Sequence, residues 1–521
     1  MKRQHFLFLL LFSVSMIGSA QLDIVWQKKY GGTNTETGRS LAATPDGGFI
    51  IGGTTFSNDV DVEDNNGNCD YWIIKTDGEG VMEWQTTLGG LQTDYGFSII
   101  NTTDGGYAVM GATSSIDGDV ANQNGGASTS DYWLIKLTSA GEIDWQRCYG
   151  GTSFDNGYAV IQTTDGGYAL CGGAGSGDGD VTGVVAAPDF WLVKLSSVGD
   201  IEWQKAMGGA SGEDAYSLVQ ADDGGYVLAG KSSSWDSGVV TGNHGGSDFW
   251  VVKTDADGEL VWQKSLGGTD ADIAQSICKT SDGGYAIAGS TGSSNGDVSG
   301  FEGTYDFWVV KLNDDGELQW QNSLGGWNDD KAYSIAPTID GGFVVTGFVM
   351  SNNADVTGHH DGHDVWLVKL DADGQLEWQR AIGGGGYDDG YCVIQLNATD
   401  YVLSGTSAST DGDATETNGI EDVWLVKLSL ADNIEKISTD NFLVEFSPNP
   451  FSAQTVCTLS GTNAPQRAEF VLTDAQVKIV LRTNITNRKV VIERGLLAAG
   501  VYSYSVVAEG GGVVSGKLVV E

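Results

Sequence analysis

The chain has 521 residues, with 77 Gly, 6 Pro and 6 Cys, and its 69 acidic against 27 basic side chains give a formal charge of −42 at pH 7. So acidic a chain excludes binding to nucleic acid or to an anionic membrane, each of which needs a basic patch to neutralise phosphate, and leaves cations, glycans and basic protein surfaces as admissible partners. Abundant Gly with scarce Pro fits many strands joined by tight turns, not a disordered tract.

Residues 1–20 read as a signal peptide: Lys2 and Arg3 are followed by a largely apolar run over 6–17 and by small residues at Gly18-Ser19-Ala20. Cleavage after Ala20 leaves Gln21 first, and no Cys stands there to take a lipid. No later apolar run reaches the roughly 18 to 20 residues that span a bilayer, so membrane insertion is not expected.

Over residues 21–428 a unit of about 58 residues recurs seven times. Trp26, Trp84, Trp145, Trp203, Trp262, Trp320 and Trp378 are each followed by Gln and then, four residues on, by Gly-Gly. A second Trp, at 72, 133, 191, 250, 308, 366 and 424, has Asp two residues before it. Each unit holds four short β-rich runs, in the fourth copy 216–220, 226–230, 249–253 and 260–265, punctuated by Asp-Gly-Gly and Asp-x-x-Gly turns in which Gly supplies a positive φ. Residues 22–30 match the fourth strand of a unit, while the seventh unit stops after its third, at 423–428. The spacing therefore predicts an all-β fold, a seven-bladed β-propeller whose N-terminal strand completes the last blade and removes the open edges.

The recurring Trp residues are expected to pack between blades. The segment from Leu370 to Trp378 resembles, over about nine residues per blade, the tryptophan-docking motif of quinoprotein propellers; the resemblance implies shared docking geometry and no quinone. Lys75, Lys136, Lys194, Lys253, Lys311, Lys369 and Lys427 recur with the scaffold and are expected beside the turn aspartates. Cys148, Cys171 and Cys392 align with Ala, Ser and Thr of other copies, so they should be free and buried.

Strand order gives the disc two faces. The tight turns share one; the long second-to-third loops and the Gly-Gly connectors share the other, where variable loops on a rigid scaffold should gather function. Several loops carry an acidic pair, Asp117 with Asp119 and Asp178 with Asp180, and the first loop has Asp59, Asp61, Glu63 and Asp64. Carboxylates at i and i+2 are candidate calcium ligands, since Ca²⁺ takes six to eight oxygens, and are equally ordinary self-capping turns. No catalytic residue is assigned. The propeller has only Arg39, Arg147 and Arg380, too few for an arginine cluster, and its histidines, His244 apart, sit in one loop at His359, His360 and His363 without the spacing of a helical metal site. The string 292–296 fits a nucleophile-elbow pattern only as letters.

Residues 429–441 read as a polar linker, and 442–521 break the repeat with alternating strands that suggest a small C-terminal β-sandwich. From about Asn441 to Glu521 the chain resembles the type A C-terminal sorting domain of cargo for the type IX (Por) secretion system of Bacteroidetes. Three motifs in order carry this: Pro448-Asn449-Pro450, Leu497-x-x-Gly500-x-Tyr502, and Gly516-Lys517-Leu518-Val519-Val520. The turn from Asp474 to Lys478 departs from the pattern in lacking its Gly. The resemblance implies the secretion machinery as a partner, passage across the outer membrane, and a secreted or cell-surface product; the propeller repeats resemble an uncharacterised repeat family of such cargo, which supplies no activity. The functional expectation is a non-catalytic propeller that binds glycan, matrix or protein through its long-loop face. A secreted polysaccharide hydrolase of endoglucanase type, using loop carboxylates, is the alternative.

Overall fold

The computed structural model describes residues 22–414, 417–430, 443–461, 464–473, 478–495, 497–508 and 513–520. The expected signal peptide, most of the expected linker over 429–441, residues 474–477 of the Gly-less turn and Glu521 lie outside the described residues.

Seven four-stranded antiparallel sheets form the propeller. In the first blade the strands are Glu36–Ala43, Phe49–Thr55, Asp70–Thr76 and Met82–Leu88, paired in that order. The second and third strands are buried along their whole length, because neighbouring blades cover both sides; hence their unbroken apolar runs in place of the alternation of a half-exposed sheet. The seventh blade takes its fourth strand from the N-terminus: Leu22–Tyr30 pairs with Asp422–Leu430, Trp26 opposite Lys427 and Tyr30 opposite Val423. Closure was legible because residues 22–30 carry the fourth-strand signature with no blade of their own.

Both sets of Trp pack between blades. The third-strand set is fully buried, and in five blades the aromatic residue before the Trp lies on the Trp of the next blade, as in Tyr71 on Trp133 at 4.8 Å and Phe190 on Trp250 at 4.4 Å between ring centroids, while Val365 and Val423 hold that place in the last two. Each of these indoles also donates its Nε1–H to the Gln of the adjacent Trp-Gln, from Trp72 to Gln85 at 2.8 Å round to Trp424 and Gln27 at 2.9 Å, so the closing strand makes the same bond as every other. The Trp of Trp-Gln meets the first residue of the next blade's second strand, Trp84 on Tyr107 at 6.0 Å and Trp145 on Tyr168 at 5.7 Å. This is the docking geometry the sequence suggested.

The lysines are fasteners too. The Lys75 ammonium, nearly buried, lies 2.9 Å from Asp46 of the Asp-Gly-Gly turn and 2.8 Å from Glu83, and Lys194 and Lys369 repeat the arrangement. Cys69, Cys148, Cys171, Cys278 and Cys457 are free and buried, and Cys392 is free and half-buried. Burial lifts the Cys69 thiol to about 12, so it is not a thiolate at neutral pH.

The C-terminal strands form one sheet of seven, in the order Leu443–Ser447, Gln454–Ser460, Lys489–Glu493, Ile479–Thr486, Arg467–Thr473, Gly500–Ala508, Val513–Val520. It wraps round a core of Phe470, Leu472, Tyr504, Val506 and Leu518, and its edges nearly meet where Phe451 bridges Val520.

Candidate functional site

The inner strand of every blade carries one β-bulge at the same place. The pairing register jumps between Gly38 and Ser40, Gly96 and Ser98, Gly157 and Ala159, Ala215 and Ser217, Ala274 and Ser276, Ala332 and Ser334, and Gly390 and Cys392. A bulged residue leaves the ladder and its side chain is re-aimed. The seven residues so displaced are Arg39, Phe97, Tyr158, Tyr216, Gln275, Tyr333 and Tyr391, and together they line a pocket of about 170 Å³ where the seven inner strands adjoin at the propeller axis. The sequence held a signal for this site: one column of the repeat, between Gly or Ala and a small residue, reads Arg, Phe, Tyr, Tyr, Gln, Tyr, Tyr while its neighbours stay constant.

The polar groups of the pocket are largely unspent. Arg39 holds its guanidinium 4.7 Å from the Tyr391 ring centroid and 5.5 Å from that of Phe97, a cation–π arrangement, and among the described residues it has no ion-pair partner. Arg380, in contrast, pairs with Asp413 at 3.4 Å. The side chains of Tyr158, Tyr216, Gln275 and Tyr333 make no hydrogen bond with another described residue. Burial keeps the Tyr158, Tyr216 and Tyr333 hydroxyls far above their ordinary pKa, so each is a neutral donor.

From this pocket a run of rings leads outward to the long-loop face. Tyr391 meets Tyr333 at 5.2 Å, Tyr333 meets Phe348 at 5.9 Å, Phe348 stacks on His363 at 4.1 Å with the planes 6° apart, and His363 meets Tyr387 at 4.7 Å. Tyr387 is 56% exposed. Among the described residues the propeller has six strongly exposed aromatic side chains, Phe56, Tyr95, Phe154, Trp235, Trp327 and Tyr387. All six are on the long-loop face, at the ends of second strands, in the Gly-Gly connectors or at the start of an inner strand. The most open are Trp327 at 72% and Trp235 at 64%.

The loop acids meet the connectors. In six of the seven connectors the acidic element of the long loop that follows accepts a backbone N–H group, and in the fourth Ser237 takes that place. Thr33 donates to Asp59 at 2.8 Å and Gly31 to Asp61 at 3.2 Å; Leu91 donates to Asp117 at 2.9 Å and Gly89 to Asp119 at 3.2 Å; Thr152 donates to Asp178 at 2.8 Å and Gly150 to Asp180 at 3.3 Å. The side chains of Glu63 and Asp64 are exposed. Among the described residues no three His, Cys, Asp or Glu side chains gather as a metal-holding group. The histidines hydrogen-bond locally, His360 to Asp364 at 2.9 Å, His244 to Asp248 at 3.0 Å and His363 to Asp389 at 3.0 Å.

Beneath the connectors lies a second acidic ring. The Asp two residues before each third-strand Trp is buried, and so is an acid at the start of the next inner strand, as Asp70 with Asp94 and Asp131 with Asp155. Between them runs the first Gly of Gly-Gly: a Cβ on Gly89 would stand 2.3 Å from Asp70 Oδ1 and 2.7 Å from Asp94 Oδ2, so no side chain fits there. Asp94 is satisfied by the Ser115 hydroxyl at 2.7 Å and the Gly90 N–H at 2.9 Å, whereas Asp70 Oδ1 is buried with no hydrogen-bond partner. The same atom is orphaned in Asp131, Asp248, Asp306, Asp364 and Asp422. Burial, with the neighbouring carboxylate adding to it, raises Asp70 and Asp131 to about 7 and Asp306 to about 6. The missing sequence signal was the acid that follows each Gly-Gly after three residues.

In the C-terminal sheet the motif residues converge on one seam. The Asn449 side chain accepts the Val519 N–H at 2.9 Å, which ties Pro448-Asn449-Pro450 to the last strand beside Gly516 and Lys517. Tyr502 lies opposite Leu518 on the adjoining strand that Gly500 opens, and its hydroxyl donates to the Ala498 carbonyl at 3.0 Å.

No family model matches the chain. Its sequence is similar to that of the regulatory protein FlaEY of Caulobacter vibrioides, 31% identical over 173 residues, covering 30% of this chain and 18% of that protein. The chain thus matches less than a fifth of the length of that relative. Among solved structures, the extracellular domain of the hybrid two-component system BT4673 from B. thetaiotaomicron is 12% identical, covers 96% of this chain and 59% of its own, and has a TM-score of 0.43. The WD40 domain of Neurospora crassa Pan2 is 9% identical, with 78% of this chain and 96% of that one covered and a TM-score of 0.41. PorZ of Porphyromonas gingivalis, a surface component of the type IX secretion system, is 9% identical, with 91% and 69% covered and a TM-score of 0.33.

Proposed function

We propose that the protein is a non-catalytic binding module, exported by type IX secretion and displayed at or released from the cell surface, that takes glycan, matrix or protein ligands on the long-loop face of its propeller. One observation carries the binding reading: every strongly exposed aromatic side chain described in the propeller is on that face. Solvent-exposed Trp and Tyr offer large apolar area at low entropic cost, and such residues concentrate where partners dock. Glycan is the favoured class, since a flat aromatic face suits the apolar side of a sugar ring. The hydrolase alternative draws no support from the geometry, because the loop carboxylates at 59, 61, 117, 119, 178 and 180 are engaged by connector amides. Export through the type IX machinery rests on the three sorting motifs and on their meeting at one seam.

A glycan array and a pull-down from extracellular matrix, each with the purified secreted chain, test the binding reading. Specific capture in either supports it. Blanks in both contradict it, and release of reducing sugar from a polysaccharide would replace it with the hydrolase.

A further inference from the structure

We propose that the axial pocket is a binding site for a carboxylate-bearing sugar, a uronic-acid unit free or at the end of a glycan. The proposal rests on the reading of the propeller as a glycan binder and names both a second site and a ligand class.

Of the three propeller arginines, Arg380 pairs with Asp413 and the exposed Arg147 donates to the Gln146 carbonyl, whereas Arg39 lies where the seven inner strands converge and has no ion-pair partner among the described residues. Its planar fork suits two carboxylate oxygens, and cation–π contact with Tyr391 and Phe97 holds the guanidinium in place before any ligand arrives. Of the acids near the pocket, Asp214 is engaged by Lys231 at 3.2 Å and Asp389 by His363 at 3.0 Å, while Glu421, beside Tyr391 and Asp389, has its charge opposed by His363. A cationic ligand is disfavoured, since the aromatic cage already contains a cation. The chain's net negative charge opposes an anion only weakly at this range, because exposed charges beyond about 8 Å are screened at physiological salt.

The other lining groups argue for a sugar in preference to a bare carboxylate. Tyr158, Tyr216, Gln275 and Tyr333 line one pocket and their polar ends have no partner among the described residues, a set of donors and acceptors suited to ring hydroxyls. The volume, about 170 Å³, matches about six liquid waters, room for one small ring. A bulge repeated in all seven inner strands is what presents these side chains, and bulges that re-aim side chains are over-represented beside functional sites.

The test is calorimetric titration of the full secreted chain with galacturonic acid, a galacturonic acid oligomer, galactose and acetate. Saturable binding of the monomer or the oligomer is expected, with galactose and acetate each at least about tenfold weaker. Whether the monomer or only the oligomer binds distinguishes the free sugar from the glycan end. Arg39→Gln should lose at least about tenfold in affinity, and Tyr333→Phe, which keeps the ring, should weaken binding by a few fold, both with unchanged melting. No binding of either uronate, equal binding of acetate, or undiminished binding by Arg39→Gln overturns the proposal. If a glycan captured on the array binds Arg39→Gln normally but not a loop-face Trp variant, the axial site fails and the loop-face reading stands. If no glycan is captured, the axial site fails; if the matrix pull-down is blank as well, the loop-face reading fails with it.

Discussion

At the residue scale the propeller sorts its charges into two rings with opposite acid–base behaviour. On the connector face, burial raises Asp70, Asp131 and Asp306 toward about 6 to 7, against about 3.9 for an unfolded Asp. The folded chain therefore binds more protons than the unfolded one between about pH 4 and pH 7, so this contribution to stability is complete below that window and is lost as pH rises through it. On the tight-turn face, hydrogen bonds from Thr44, Lys75 and Gly48 hold Asp46 at about 2, and Lys194 and Lys311 lead in holding Asp165 and Asp282 there. Their stabilisation is present above about pH 4 and disappears as pH falls toward 2. Thermal melting should thus peak near pH 4 to 5 and decline on both sides, roughly. Asp70→Asn, which keeps the shape and supplies an amide N–H to the orphaned position, should raise stability at about pH 8 by about 1 kcal/mol and flatten the alkaline slope. Melting curves of wild type and variant across pH check this; a wild-type maximum at alkaline pH, or a destabilised Asp70→Asn at pH 8, would contradict it.

At the scale of elements, what the sequence disclosed and what it withheld divide along a physical line. The Trp, Gln and Lys columns were legible because they repeat unchanged, and anything that repeats with the scaffold is a fastener: Trp72 with Gln85, Lys75 with Asp46. The closing strand was legible for the same reason. The axial site was harder to read: its column varies between blades, but the direction of those side chains is set by a bulge, a matter of register that no local pattern of hydrophobicity encodes. The buried acid pairs were missed because Asp94 and its counterparts look like the polar loop residues around them until strand pairing brings Asp94 over Gly89 to Asp70. The small sandwich expected at the C-terminus is a single sheet whose two ends approach, held by Asn449 and Val519. Closure makes a direct prediction. Removing residues 22–30 exposes the edge of the strand Asp422–Leu430 and the Trp424 indole that Gln27 satisfies. The truncated chain should lose cooperative melting and associate, read by light scattering after size exclusion. A monomer that melts like the full chain would mean that the closing strand is dispensable.

At the scale of the whole molecule, the propeller is a closed ring whose two faces differ in kind. The turn face spends its charge on lysine–carboxylate contacts and exposes isolated aliphatic residues such as Val81, Val198 and Ile339. The loop face carries the exposed aromatic residues, and one contiguous run of rings from Tyr387 to Tyr391 joins it to the axial pocket. The three C-terminal motifs belong to the separate C-terminal sheet, so the proposed export and the proposed binding are expected to be separable by mutation. The most direct measurement of the central claim compares two variant sets on the same glycan array: Trp235→Ala with Trp327→Ala on the loop face, and Val81→Ser with Ile339→Ser on the turn face. Loss of about tenfold or more of the captured signal in the first set with none in the second is the predicted result. Retention in the loop-face set, or equal loss in both at unchanged melting, would contradict it.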